Sequence, residues 1–202
     1  MSLKKVHDKQ PDKFEFTESN LKLAQKILGK YPESKKKSAV MPLLRIAQDQ
    51  NDNWIPLAAL KYISKFLSMP YINVYEIATF YTMYNLAPVG KYYIQVCTTS
   101  PCLLRGANEI VKICQNKISK RKDTLSKNGM CSWTEVECLG ACVNAPMIQV
   151  NKDYYEDLNK DNIEKILESL MEGKPLKPGS YRGRKSSAPE NLQKSRNGTN
   201  NA

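Results

Sequence analysis

The chain contains a single histidine, His7, set in a polar N-terminal stretch. That scarcity argues against Ser–His–Asp hydrolases, HExxH metalloproteases, Rieske centres and zinc fingers built on two Cys and two His, all of which need placed imidazoles. The nine glycines never fall into GxGxxG or GxxxxGK[ST], so neither a standard dinucleotide cradle nor a P-loop is encoded. No C-x-x-C occurs, which disfavours a thioredoxin-type dithiol. Unbroken apolar runs reach only a few residues, against the roughly 20 that a membrane-spanning helix requires. What remains is a chain of 202 residues, 41% hydrophobic and 25% charged. Such a composition can bury a core without disulfides.

Charge is unevenly placed. Lys and Arg number 31 against 20 Asp and Glu, a net charge of +11. Beyond Glu172, seven cations (Lys174, Lys177, Arg182, Arg184, Lys185, Lys194 and Arg196) face Glu190 alone, so over half of the excess sits in a short tail. A basic tail can touch RNA or anionic lipid; the plainer reading is a solvated, disordered end. At the other terminus Lys4 and Lys5 are followed by no apolar run, so no secretory leader is expected. The first arginine is Arg45, and Asp8, Asp12, Glu15 and Glu18 precede it, unlike a transit peptide. The expectation is a chain kept in a bacterial-type cytoplasm, or a processed organelle protein. In that reducing setting six cysteines read as metal ligands, redox thiols or core residues rather than disulfides.

Residues 1–16 are polar and expected to be loose. A helical bundle is expected over 17–87. Thr17 or Ser19 caps a first helix carrying Leu21, Leu23, Ala24, Ile27 and Leu28, which Gly29 and Pro32 close. Ser38 opens a second, with Val40, Leu43, Leu44 and Ala47 on its apolar side. Pro56 suits the first turn of a third, with Leu57, Leu60, Ile63 and Leu67 at helical spacing. Pro70 ends it. Asn73 and Glu76 read as a capping box for a fourth helix through Tyr84.

Pro88-Val89-Gly90 is a turn, and the pattern changes after it. Over 88–178 the order is strand (Tyr92–Val96), helix (Arg105–Ser119), charged loop (120–129), strand (Ser132–Glu137), hairpin (Met147–Val150 and Tyr154-Tyr155) and helix (Asp161–Met171). A four-strand sheet flanked by helices, in the manner of thioredoxin, fits that order. The fold class is α+β, with residues 179–202 as the basic tail. The chain shows no internal repeat.

Four cysteines fall in two segments that each follow a strand. Cys97 and Cys102 form C-x4-C, Cys138 and Cys142 form C-x3-C, and 35 residues separate the pairs. If the two strands are neighbours, both segments open at one sheet edge and four thiolates converge. An iron–sulfur cluster takes four thiolates, and the two irons of a [2Fe–2S] rhomb match two ligand pairs. Four-cysteine zinc sites use similar spacings, so the residues alone leave both metals open. Pro101 and Pro146 stiffen the segments, and Gly140 lets backbone approach sulfur. Thr98, Thr99 and Ser100 offer hydroxyl donors. Cys114 lies on the apolar side of its helix and reads as a core thiol. Cys131, seven residues before Cys138, is the only competitor for a ligand position.

Further residues resemble a known family. Trp54-Ile55-Pro56, the segment Val74-Tyr75-Glu76-Ile77-Ala78-Thr79-Phe80-Tyr81-Thr82-Met83-Tyr84, and Pro88-Val89-Gly90-Lys91-Tyr92 carry the likeness, together with Gln95-Val96-Cys97, Cys102 and Cys138-Leu139-Gly140-Ala141-Cys142-Val143-Asn144-Ala145-Pro146-Met147. They resemble the [2Fe–2S] subunit of NADH:quinone oxidoreductase, the E-type subunit of the bacterial enzyme and the 24-kDa-type subunit of mitochondrial complex I. The resemblance covers about residues 18–178. It implies an N-terminal helical bundle followed by a thioredoxin-like [2Fe–2S] ferredoxin domain. It also implies one cluster held by Cys97, Cys102, Cys138 and Cys142, with Cys114 and Cys131 free.

The same resemblance implies an electron carrier, not a complete enzyme. One electron is exchanged with a flavoprotein subunit that binds FMN and NADH, and a large iron–sulfur subunit belongs to the same respiratory complex. The isolated chain is not expected to oxidise NADH, in keeping with its lack of nucleotide motifs. Tyr75, Phe80, Tyr81 and Tyr84 are candidate aromatic anchors for the flavoprotein, or else pack the bundle. The expected location is peripheral, on the cytoplasmic side of a bacterial inner membrane or the matrix side in an organelle. Membrane contact would be indirect, through the complex, and no nucleic acid is expected. Two alternatives stand beside this: the equivalent subunit of an NAD-linked hydrogenase or formate dehydrogenase, and a zinc-stabilised nucleic-acid-binding module.

Overall fold

The structure, a computed structural model, describes residues 6–185. The outer parts of the N-terminal segment and of the basic tail lie outside the described residues. The chain divides between Val89 and Gly90 into two units.

The first unit is helical. Its α-helices are α1 (Glu18–Leu28), α2 (Val40–Gln50), α3 (Leu57–Phe66) and α4 (Tyr71–Phe80), with a 3₁₀ helix over Glu33–Ala39. The Thr17 hydroxyl accepts from the Asn20 N–H and caps α1. Leu43, Leu44, Ala47, Leu60, Ile63, Val74 and Ala78 are fully buried, so spacing by three and four delivers one face of each helix to a common core.

The bundle departs from expectation in three places. The fourth helix starts at Tyr71, and Asn73 and Glu76 lie inside it, not at a capping box. Its apolar face begins before Asn73, and Pro70 takes the boundary, where a missing N–H is harmless. The helix stops at Phe80, because Tyr81 is extended. Tyr84 then turns inward, 1% exposed, and its hydroxyl donates to the Met41 carbonyl at 2.9 Å; it is a core residue, not a surface anchor. The segment expected to be loose is packed: Val6 lies against the bundle core, the His7 N–H donates to the Leu86 carbonyl at 3.0 Å, and the Leu57 N–H donates to Gln10 Oε1 at 2.8 Å. Phe16 is buried, and Phe14, Phe16, Tyr62 and Phe66 form a ring cluster with centroids 5.1–6.1 Å apart.

The second unit is built on β1 (Tyr92–Cys97), β2 (Cys131–Val136), β3 (Ile148–Val150), β4 (Asp153–Glu156) and β5 (Gly179–Ser180). The sheet order is β2-β1-β3-β4-β5. Strands β1 and β2 are parallel, with Cys97 opposite Val136; β1–β3 and β3–β4 are antiparallel, and β4–β5 is parallel. A parallel pair needs a crossover, supplied here by α5 (Ser100–Leu104) and α6 (Ala107–Lys117). The last helix, α7 (Lys160–Met171), is opened by a reciprocal capping box between Asn159 and Asn162 and packs against α6. Ile110, Cys114, Trp133, Ile148, Ile163, Ile166 and Leu167 bury the sheet under these helices. The Trp133 indole N–H, though buried, donates to the Ser119 carbonyl at 2.9 Å, which removes the cost of burying it unpaired.

The helix expected over Arg105–Ser119 is α6, Ala107–Lys117, and the short α5 that precedes it was not expected; Gly106, at φ +103°, separates the two. The sheet has five strands rather than four: β5 belongs to what was expected to be tail. Two residues carry no strand periodicity, so only tertiary pairing to Tyr155 and Glu156 defines that strand. Among the described residues no helix is long and apolar enough to cross a membrane.

Candidate metal centre

The parallel pairing of β1 and β2 decides where the cysteines go. Both strands end at the same edge. Cys97 is the last residue of β1, and Cys138 lies two residues beyond the end of β2. The Thr98 N–H continues the ladder to the Val136 carbonyl at 3.2 Å. Cys102 lies within α5, not in a loop as expected, because Ser100 and Pro101 begin a helical turn immediately after Thr99. Cys142 opens a short 3₁₀ turn, Cys142–Asn144.

The four thiols form two pairs of unlike exposure. Cys97 and Cys102 are buried, among Ala107, Ala145 and Met147. Cys138 and Cys142 are exposed, with their sulfurs 3.2 Å apart. Donors surround the sulfurs. The Thr99 hydroxyl is 3.3 Å from Cys97 Sγ, and the Gly140 N–H donates to Cys138 Sγ at 3.4 Å. Gly140 has φ +83°, a backbone region that side chains oppose, and this aims its N–H at the sulfur. Thr98, expected to serve the sulfurs, directs its hydroxyl instead to the Val136 carbonyl at 3.5 Å. The Tyr154 hydroxyl donates to the Leu139 carbonyl at 2.7 Å and ties the second cysteine loop to β4.

The electrostatics follow the pairing. Burial raises the Cys97 thiol, but hydrogen bonds from the Thr99 hydroxyl, the Thr99 and Leu139 N–H groups and Cys102 outweigh it and leave Cys97 below the ordinary thiol range. Burial, then the bond and charge of Cys97, push Cys102 up to about 12. The Gly140 N–H, with Cys142 and Thr99, lowers Cys138, and Cys142 is raised chiefly by its bond to Cys138. In each pair the two sulfurs are shifted in opposite directions, one below and one above the ordinary thiol range. A metal binds thiolates, so ligation displaces the thiol protons.

The remaining cysteines sit elsewhere. Cys114 on α6 and Cys131 at the start of β2 are buried in the core under the sheet. Burial, with Cys131 adding, raises Cys114 to about 12, and burial raises Cys131 to about 11. Among the described residues no three His, Cys, Asp or Glu side chains are grouped around a single ion position. A two-and-two arrangement of soft thiol donors, backed by N–H and hydroxyl donors, fits a two-iron, two-sulfide rhomb.

Sequence reasoning missed the polar frame behind the second loop. Asn144 Nδ2 donates to Glu156 at 2.6 Å, the Asp157 N–H donates to the Asn144 carbonyl at 2.8 Å, and the Arg184 guanidinium donates to the Val143 carbonyl at 2.9 Å. Motif spacing carries no signal for them, since the partners lie 12 to 41 residues away.

Comparison with known proteins agrees with the geometry. The thioredoxin-like [2Fe–2S] ferredoxin family matches over residues 24–171. The E-type subunit of the NADH-quinone oxidoreductase of Rickettsia typhi is 51% identical over 158 residues, 78% of this chain and 93% of that protein. Its counterpart in Rickettsia conorii is 52% identical over 158 residues, 78% and 95% of the two chains. Among solved structures, an NAD+-reducing [NiFe]-hydrogenase in its air-oxidized state superimposes with a TM-score of 0.56 at 18% identity, over 68% of this chain and 23% of that one. That likeness shows the fold, and spans under a quarter of the hydrogenase chain. The chain belongs to the thioredoxin-like [2Fe–2S] ferredoxins, among the E-type subunits of NADH-quinone oxidoreductase.

Proposed function

We propose that this chain is the one-electron carrier that passes electrons to and from the FMN- and NADH-binding flavoprotein of an NADH:quinone oxidoreductase. The observation that carries the reading is the pairing of Cys97 with Cys102 and of Cys138 with Cys142 at one edge of a parallel strand pair. These four residues hold a [2Fe–2S] cluster. When bound, the cluster supplies a site that gains and gives up one electron. The chain's own residues do the rest. The Thr99 hydroxyl and the Gly140 N–H point positive dipoles at ligand sulfur, which favours the more negative, reduced charge state. Ala107, Ala145 and Met147 exclude water on the buried side.

Partner contact follows from exposure. In the second unit Leu103, Leu104 and Val143 stand in solvent beside Cys102 and Cys142, with Leu104 86% exposed. In the first unit Ile72, Phe80, Tyr81 and Met83 are exposed at the two ends of α4 and just beyond it. Apolar groups of this size mark interfaces. We assign both sets to subunits of the complex, the flavoprotein and the large iron–sulfur subunit. Through them the chain is peripheral to the membrane, on the cytoplasmic or matrix side.

The second reading is the equivalent subunit of an NAD-linked hydrogenase. The hydrogenase likeness favours it, but at 18% identity against 51% it ranks below the respiratory assignment. The test is to purify the chain anaerobically, reduce it and record its electron paramagnetic resonance. One unpaired spin per chain supports the assignment, and tightly bound zinc without iron overturns it. Calorimetry with the flavoprotein then tests the partner: exchanging Phe80 and Tyr81 for Ser should weaken binding about tenfold, the size expected for an aromatic anchor.

A further inference from the structure

The basic segment after β5 is not inert tail. Asp157 follows β4, and its side chain is 1% exposed. Two side chains meet its carboxylate. The Ser180 hydroxyl donates to Oδ2 at 2.6 Å, Arg184 Nε lies 3.1 and 3.2 Å from the two oxygens, and Arg184 Nη2 donates to Oδ1. The guanidinium has a further bond to make. Its Nη2 donates to the Val143 carbonyl at 2.9 Å, and Val143 is the residue immediately after Cys142. The Asp157 backbone reaches the same turn, its N–H donating to the Asn144 carbonyl at 2.8 Å. Burial works against the Asp157 carboxylate, yet the bonds from Arg184 and Ser180 and the charges of Arg184 and Arg182 hold its carboxyl below the ordinary range.

We propose that Arg184 is a positioning residue for the exposed cysteine pair: anchored on buried Asp157, its guanidinium straps down the Cys142–Asn144 turn and fixes the Cys142 sulfur. This inference rests on the reading of Cys142 as a ligand. The geometry suits the task. A planar fork engages a carboxylate and a carbonyl at once, which a lysine ammonium cannot reproduce with the same orientation. The pair that needs holding is the exposed one, since Cys97 and Cys102 are fixed by a strand end, a helix and apolar packing. Strap and turn meet only in the folded chain, because Arg184 lies 41 residues from Val143.

The experiment uses the full chain carrying its cluster, with Arg184→Ala, Arg184→Lys, Arg182→Ala and Cys142→Ala compared with the parent. The readouts are the lifetime of the visible chromophore under a chelator, the width of the electron paramagnetic resonance lines, and the thermal midpoint. Arg184→Ala should shorten the lifetime about tenfold and broaden the lines. Arg184→Lys, which keeps the charge and loses the fork, should restore less than half of that loss. Arg182→Ala removes a nearby charge that makes no bond to the turn, and should match the parent. The strap is wrong if Arg184→Ala matches the parent in lifetime and linewidth. It is also wrong if Arg184→Lys restores the parent's values in full, or if Arg182→Ala loses as much as Arg184→Ala, because charge alone would then explain the effect. A Cys142→Ala chain that keeps its cluster fails the ligand reading instead, and the strap with it.

Discussion

The Tyr154 hydroxyl and the Leu139 carbonyl, 2.7 Å apart, join the hairpin strand β4 to the loop that carries Cys138 and Cys142. The bond bridges 15 residues of sequence and holds a loop whose cysteines are otherwise exposed. Its net worth is about 1 kcal/mol, small for the fold but large for one loop. Tyr154→Phe should therefore leave the far-ultraviolet circular dichroism unchanged while the cluster is lost several-fold faster under a chelator. Equal lifetimes would show that the loop is held by other contacts.

Gly90 opens the ferredoxin unit where backbone meets backbone. A Cβ there would lie 2.4 Å from the Cys131 carbonyl carbon and 2.6 Å from the Ser132 nitrogen, and the Gly90 N–H donates to the Ser132 hydroxyl at 2.9 Å. Backbone cannot give way as a side-chain tip can. Gly90→Ala should destabilise the chain by about 3 kcal/mol or prevent folding, as overpacking does at its upper range. The urea midpoint measures this, and a shift equivalent to under about 0.5 kcal/mol would contradict the close approach.

Asp157 gives a pH dependence with a definite sign. Its carboxyl is lowered in the folded chain, so its stabilising share is fully present above the unfolded value of about 3.9 and is lost as pH falls through the folded value. Asp157→Asn should cost about 1–3 kcal/mol at pH 7, and its deficit against the parent should shrink below about pH 4. Denaturant unfolding at pH 7 and at stepwise lower pH reads both numbers. A deficit that stays constant down to about pH 3 would place the partner bonds of Asp157 elsewhere.

The thiols should separate by reactivity. Cys138 is exposed and lowered, whereas burial raises Cys114 to about 12 and Cys131 to about 11. At pH 8 Cys131 is thiolate about one part in a thousand, and the thiolate is the nucleophile. After chelation of the metal, iodoacetamide should label Cys138 well before Cys114 or Cys131, as read by peptide mass spectrometry. Labelling of Cys131 at the rate of Cys138 would contradict its place in the core.

Much of this molecule is legible in its residues, and the exceptions have physical causes. Ala107, Ile110, Val111, Cys114 and Ile118 mark a helix because helical spacing puts them on one side; four are buried, and Val111 is half-buried against the same core. The apolar alternation of β1 marks a strand that delivers Cys97, whatever its partners are. The helix that holds Cys102 is hidden because five residues are too few to show a period. Strand β5 is hidden because its two residues pair only through tertiary position. Arg184 reads as one more charge in a basic tail. Its partner Asp157 is an acid in a loop 27 residues earlier, and no spacing rule connects the two.

The central claim is that Cys97, Cys102, Cys138 and Cys142, and no other cysteines, hold one [2Fe–2S] cluster. The direct measurement is iron bound per chain in six single Cys→Ala variants, each reconstituted anaerobically beside the parent. The account predicts about two irons for the parent, for Cys114→Ala and for Cys131→Ala, and severe depletion for the other four. Loss of iron from Cys131→Ala with retention in Cys138→Ala, or one zinc and no iron in the parent, would contradict it.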